Sequence, residues 1–173
     1  GPDPEIGAGI SIPYWQPEPV ILPEVSAVED NEGAEFYNGA EMLPVILEVF
    51  DSAATSIDLW QYLADHTEIF TRMKYKADRG ARIRMIVDHG MFYSTKSGRQ
   101  PYRMQDFFNT TNCELRLRKP EGEYASMHAK TVVVDRSVVL SGSLNLTHNG
   151  VENNDEHLWK IRAPSAVAKL QNA

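Results

Sequence analysis

The stretch Met127–Thr147, MHAKTVVVDRSVVLSGSLNLT, gathers side chains that could handle an anion. His128, Lys130, Val132 and Val134 fall on one face of a strand, because side chains alternate with period two. The imidazole and the ammonium then point the same way, about 7 Å apart along the strand. Thr131, Val133 and Asp135 face the other side, so Asp135 is poorly placed to share a pocket with His128. A second short strand, a Ser-Gly-Ser turn and Asn145 follow. Gly142 would let the backbone approach an anion, and Ser141, Ser143 and Asn145 offer donors. Imidazole, ammonium, amide and hydroxyl, with no carboxylate on the same face, are the groups a phosphate site needs.

Positioning them requires a scaffold, and the hydrophobic pattern supplies one. Ala34–Tyr37 reads as a short strand closed by Asn38-Gly39. Leu43, Ile46, Leu47 and Phe50 recur at helical spacing, which predicts a helix to about Ala54. Strands are expected at 56–62, 82–88, 114–118, 128–134, 138–141 and 157–161. Helices are expected at about 65–79, with Gly80 as its C-terminal stop, at about 102–109, and after Pro164. Residues 89–100 read as a loop. Strand–helix alternation predicts an α/β fold with a mostly parallel mixed sheet flanked by helices. Seven of the ten prolines lie in the first 44 residues, so residues 1–33 read as an extended acidic arm or a plain tail, and 34–173 as the folded domain.

The 127–147 segment resembles the motif of the phospholipase D superfamily, His-x-Lys, Asp, then Gly-Ser-x-Asn. It matches at His128, Lys130, Asp135, Gly142, Ser143 and Asn145, six fixed positions over eighteen residues. FYNGAEMLPVILEVFDSAATSIDLWQY and ADRGARIRMIVD resemble the opening βαβ region of its small bacterial endonucleases and of the mitochondrial cardiolipin-hydrolase or piRNA-pathway nuclease branch. Asn154-Asp155-Glu156 resembles the Asn-x-Glu that follows the motif in these small members. Some animal members carry a zinc-binding cysteine/histidine insert, which a chain with the single Cys113 cannot form.

The resemblance implies a phospholipase D-like fold and a covalent mechanism. His128 would be the nucleophile and form a phosphohistidine. Lys130 and Asn145 would hold phosphate oxygens, with Ser143 adding a hydrogen bond. Glu156 would accept from the other ring nitrogen of His128 and fix its tautomer. Asp135 belongs to the motif, although alternation favours a fold-supporting role. The chemistry needs a second imidazole to protonate the leaving oxygen. With one motif copy, the resemblance implies a homodimer in which two His128 side chains share an active site across a two-fold axis. It implies no metal and no cofactor; Asp88-His89 reads as the start of a loop.

Charge narrows the substrate. The net charge is −7, yet residues 1–65 carry 13 acidic and no Lys or Arg side chains, while residues 66–173 carry 17 basic against 11 acidic ones. Arg72, Lys74, Lys76, Arg79, Arg82 and Arg84 cluster, and Lys96, Arg99 and Arg103 interleave with Phe92, Tyr93 and Tyr102. Arg72, Lys96, Arg99, Arg103 and Tyr93 are therefore candidate substrate contacts, suited to single-stranded DNA or RNA. The same loop suits an anionic phospholipid such as cardiolipin, and a non-catalytic phosphate-binding module is the third reading. No stretch approaches the roughly 18 apolar residues of a membrane span. No signal peptide is visible, but a Gly1-Pro2 start is what a cleavage scar leaves, so compartment stays open.

Overall fold

Alternation along each strand decides which side chains are buried, and the computed structural model, which describes residues 33–162 and 164–171, shows how those faces are covered. The elements are β1 (Ala34–Asn38), a 3-10 turn (Gly39–Glu41), α1 (Met42–Asp51), β2 (Ser56–Gln61), α2 (Thr67–Asp78), β3 (Arg82–Asp88) and α3 (His89–Phe92). They continue with α4 (Gln100–Phe108), β4 (Cys113–Arg118), β5 (Lys130–Val134), β6 (Val138–Gly142), a π-helical turn (Asn149–Asn153), β7 (His157–Ile161) and α5 (Pro164–Gln171). The predicted arm lies outside the described residues.

Seven strands form one mixed sheet in the order β1-β7-β6-β5-β2-β3-β4. The expectation of a mostly parallel sheet is corrected. Only β2–β3 and β3–β4 are parallel; the other four pairings are antiparallel. The reason is connection length. Parallel neighbours need a crossover of about a dozen residues or more, and α2 and the α3–α4 segment supply the two that exist. After Val134 the chain turns back within Asp135–Ser137, with Asp135 and Arg136 at φ 53° and 55°, and Val134 pairs with Val138.

One face of the sheet presents Ile57, Leu59, Ile83, Met85, Val87, Val132, Val134, Leu140 and Leu158. Onto it pack Ile46, Val49 and Phe50 of α1, Ile69, Phe70 and Met73 of α2, and Met104 and Phe107 of α4. On the opposite face Val133 and Val139 meet Val167 of α5, with Trp60, Ile161 and Leu170 at the margin. β5 is thus buried on both sides, which explains its unbroken Val132-Val133-Val134 run. Burial pushes the Cys113 thiol up to about 11, and Asp78 and Asp106 push it the same way. That cysteine is core material rather than a nucleophile. Among the described residues no helix is long and apolar enough to cross a membrane.

Because β5 runs antiparallel to β2, its first residue, Lys130, pairs with the last residue of β2, Gln61. The start of β5, the end of β6 and the carboxyl ends of β2 and β3 therefore share one rim of the sheet. That rim, outside the carboxyl ends of parallel strands, is where open α/β sheets place ligands.

Candidate active site

His128 stands two residues before β5, on the rim, and is exposed. Its ring lies against Tyr62, centroids 4.6 Å apart and tilted by 43°. The Lys130 ammonium donates to His128 Nδ1 at 3.0 Å. Imidazole and ammonium lie together, although the strand starts at Lys130 and not at His128 as expected. Burial pushes the Lys130 amine below its ordinary value, while the charge of Glu156 acts in the opposite direction.

The segment preceding His128 has no regular structure, so something must hold it. Asp88, at the end of β3 and 4% exposed, does this with both carboxylate oxygens. Oδ1 accepts from Met127 N–H at 2.8 Å, and Oδ2 accepts from Met91 N–H at 2.7 Å, capping α3. One buried carboxylate thus ties the backbone just before His128 to the start of α3. Sequence reasoning missed this residue; its only signal was an Asp at a strand end followed by a short turn.

Glu156 corrects an expectation. Its carboxylate accepts from the Ser143 hydroxyl, and His157 N–H donates to Ser143 Oγ at 3.0 Å. Among the described residues no hydrogen bond joins Glu156 to His128. Ser143 is therefore committed to orienting the carboxylate. The Asn145 amide oxygen is buried without a hydrogen-bond partner, while its backbone carbonyl accepts from Thr147 N–H at 2.8 Å.

Gly142 carries a further correction. A Cβ there would collide with the His157 carbonyl and lie 3.1 Å from Leu158 Cα. The glycine admits the backbone of β7 rather than an anion. Gly142→Ala is expected to cost about 2 kcal/mol through overpacking, read as a lower urea midpoint with an unchanged slope.

Asp135 lies at the far end of β5, about 20 Å along the chain from His128. It accepts from Ala54, Thr55 and Ser56 N–H and from the Thr55 hydroxyl at 2.7–3.0 Å. The structure does not bring it to His128 and Lys130.

The candidate substrate contacts divide. Arg72 is paired with Asp51, which ends α1 beside the start of β2, at the opposite end of the sheet from Tyr62 and His128. Lys74 pairs with Asp106 at 3.1 Å and Arg84 with Asp58 at 2.6 Å, so half of the basic cluster is neutralised. Arg103 is locked on Thr67 Oγ1 at 2.7 Å and the Asp65 carbonyl at 3.4 Å. Lys96 and Arg99 are exposed, and Tyr93 is 67% exposed with its ring 4.9 Å from that of His89. These three remain available to a ligand. His66, His89, His148 and His157 make no ring contact with His128, so among the described residues it has no second imidazole beside it.

A mixed seven-stranded sheet with a His-x-Lys pair on its rim and a Gly-Ser-x-Asn turn beside it defines a phospholipase D-like domain. The chain belongs to that phosphodiesterase family: the family described as "Cardiolipin synthase, PLD-like domain" matches residues 46–173. A curated relative, mitochondrial cardiolipin hydrolase of Chlamydomonas reinhardtii, is 24% identical over 137 residues, covering 79% of this chain and 57% of its own. The chain spans about half the length of the curated relatives it matches. Among solved structures, NucT from Helicobacter pylori superposes with a TM-score of 0.71 at 23% identity, over 80% of this chain and 91% of its own. Nuc from Salmonella typhimurium, a phospholipase D family member, gives 0.69 at 22% identity, over 80% and 90%. The structural likenesses establish the fold.

Proposed function

We propose that this chain is a metal-independent phosphodiesterase that cleaves single-stranded DNA or RNA through a phosphohistidine, working as a homodimer. The observation that carries this reading is the exposed His128 imidazole held 3.0 Å from the Lys130 ammonium. A ring nitrogen of His128 attacks phosphorus as the P–O bond to the leaving group breaks. Lys130 and the Asn145 amide meet the charge that builds on the non-bridging oxygens. The leaving oxygen takes its proton from the partner's His128. Water then attacks the phosphorus, its proton passes to an imidazole, and His128 is released. Glu156, held by Ser143, supplies the negative charge that keeps this cationic site poised. Asp135 has only a scaffold role in this scheme.

Nucleic acid is favoured by the rings around the rim. Tyr62 lies against the nucleophile, and the Asp88 link connects His128 to α3, which ends beside exposed Tyr93. Lys96 and Arg99 follow in the same loop, so stacking and backbone neutralisation are offered together. The second reading, hydrolysis of an anionic phospholipid such as cardiolipin, is favoured by the curated relatives named mitochondrial cardiolipin hydrolase.

The test is to incubate the chain with labelled single-stranded oligonucleotides and with cardiolipin vesicles, in EDTA and well below the melting temperature. Oligonucleotide cleavage is expected. Cleavage of lipid alone would establish the second reading, and activity abolished by EDTA would remove the metal-free mechanism.

A further inference from the structure

Beside the Asn145 loop, three residues that no step above uses converge. They are His66 at the head of α2, His148 just after the motif, and Glu152 in the π-helical turn. One ligand atom of each lies within 4.8 Å of the others. His66 Nε2 is 3.3 Å from Glu152 Oε1, and His148 Nδ1 is 2.5 Å from Glu152 Oε2. We propose that these three side chains bind a divalent transition-metal ion of the zinc class, and that the ion braces the loop carrying Asn145.

The ligand set fits that chemistry. Two neutral imidazoles and a carboxylate suit zinc, with a fourth position left to water or another oxygen. Tetrahedral ligands at bond lengths of about 2.0–2.1 Å stand roughly 3.3 Å apart. The His66–Glu152 separation already has that spacing; His148, now at hydrogen-bond distance from the other carboxylate oxygen, must draw back from it and toward His66. The parts can do so, because one is fixed and the other is free. The His66 side chain is 5% exposed and that of His148 is 70% exposed.

Charge is also favourable. The three residues line a cavity of about 400 Å³ together with Asp65, Glu68 and Arg99. Three carboxylates against one guanidinium offset the positive end of the α2 dipole. Glu68, exposed in the first turn of α2, lines the same cavity and adds to its negative charge. Binding has an identifiable cost. Ligation through Nε2 puts the His66 proton on Nδ1, which gives up the long 3.4 Å contact from Ile69 N–H.

The consequence follows from the backbone. Asp65 and His66 N–H both donate to the Leu146 carbonyl at 3.0 Å, and Ala64 bridges Leu146. An ion joining His66 to His148 and Glu152 would clamp both sides of that junction, one residue from Asn145. Its role is mechanical, and phosphate chemistry at His128 does not pass through it.

The experiment uses the full chain stripped with EDTA and titrated with zinc chloride, followed by calorimetry and thermal melting, with cobalt chloride as the visible-absorption probe. One equivalent of zinc per chain, a rise of several degrees in melting temperature and a tetrahedral cobalt spectrum are expected. His148→Ala and Glu152→Gln should each weaken zinc at least tenfold and remove the rise. His89→Ala and His128→Asn should retain both. Because His148 is exposed, its variant folds, and the metal-free melt verifies this. No stoichiometric binding would overturn the proposal and leave a plain His–Glu–His hydrogen-bonded chain. So would zinc binding that survives His148→Ala and Glu152→Gln, or that is lost in His128→Asn.

Discussion

His128→Asn should lower phosphodiester cleavage by about four orders of magnitude or more, the size of effect seen when a covalent nucleophile is removed. The same change should leave stability within about 0.5 kcal/mol. The side chain is exposed, and its contacts are the Tyr62 ring and the Lys130 ammonium. Asparagine keeps an acceptor for that ammonium, so no buried charge is orphaned. Mixing separates a shared active site from an independent one. If each site needs two His128 side chains, a mixed dimer has one and is inactive. An equal mixture of refolded wild type and variant then retains about a quarter of the wild-type activity, because about a quarter of random dimers are wild type throughout. Retention of half would mean that each chain works alone, and another residue would have to protonate the leaving oxygen.

How much of this was legible in the sequence depends on whether a feature is local. The closeness of His128 and Lys130 needs only their two-residue spacing, and the displacement of Asp135 follows from strand geometry. The antiparallel β5–β6 hairpin was legible too, because three residues cannot make a parallel crossover, yet the earlier strand–helix alternation pointed the other way. The features that escaped are those made by long-range pairing. Ser143 meets Glu156 because β6 pairs with β7, and Gly142 is needed because the same pairing brings the His157 carbonyl against it. Asp88 reaches Met127 across 39 residues, and His66 reaches Glu152 across 86. A count of basic residues likewise cannot tell a free cation from a paired one. Arg72 and Lys96 look alike in sequence, but only Arg72 finds an aspartate across a helix–helix contact.

Asp135→Ala should cost about 3 kcal/mol of stability while leaving the chemistry of the folded protein intact. Four donors converge on this carboxylate: Ala54 N–H at 2.8 Å on Oδ2, and Thr55 N–H at 2.7 Å, Ser56 N–H at 3.0 Å and the Thr55 hydroxyl at 3.0 Å on Oδ1. They fix the turn that feeds β2 to the turn that leaves β5. Alanine removes all four bonds, and it must also hold φ 53°, a left-handed conformation that costs an alanine about 1 kcal/mol. Asparagine tolerates that conformation and keeps one oxygen, so Asp135→Asn should cost about half as much. Burial pushes the Asp135 carboxyl up, but the hydrogen bonds from Ser56, Thr55 and Ala54 outweigh it, and the net shift is downward. A lowered folded value means that the stabilisation is complete above the unfolded carboxyl range of about 4 and fades as pH falls through the folded value. The difference between wild type and Asp135→Asn in urea melts should therefore be largest near neutrality and shrink in acid. Cleavage measured below the melting temperature decides the role of this motif residue. Activity near that of wild type identifies Asp135 as the clamp between two turns. A folded Asp135→Asn protein as inactive as His128→Asn would return it to the phosphate chemistry.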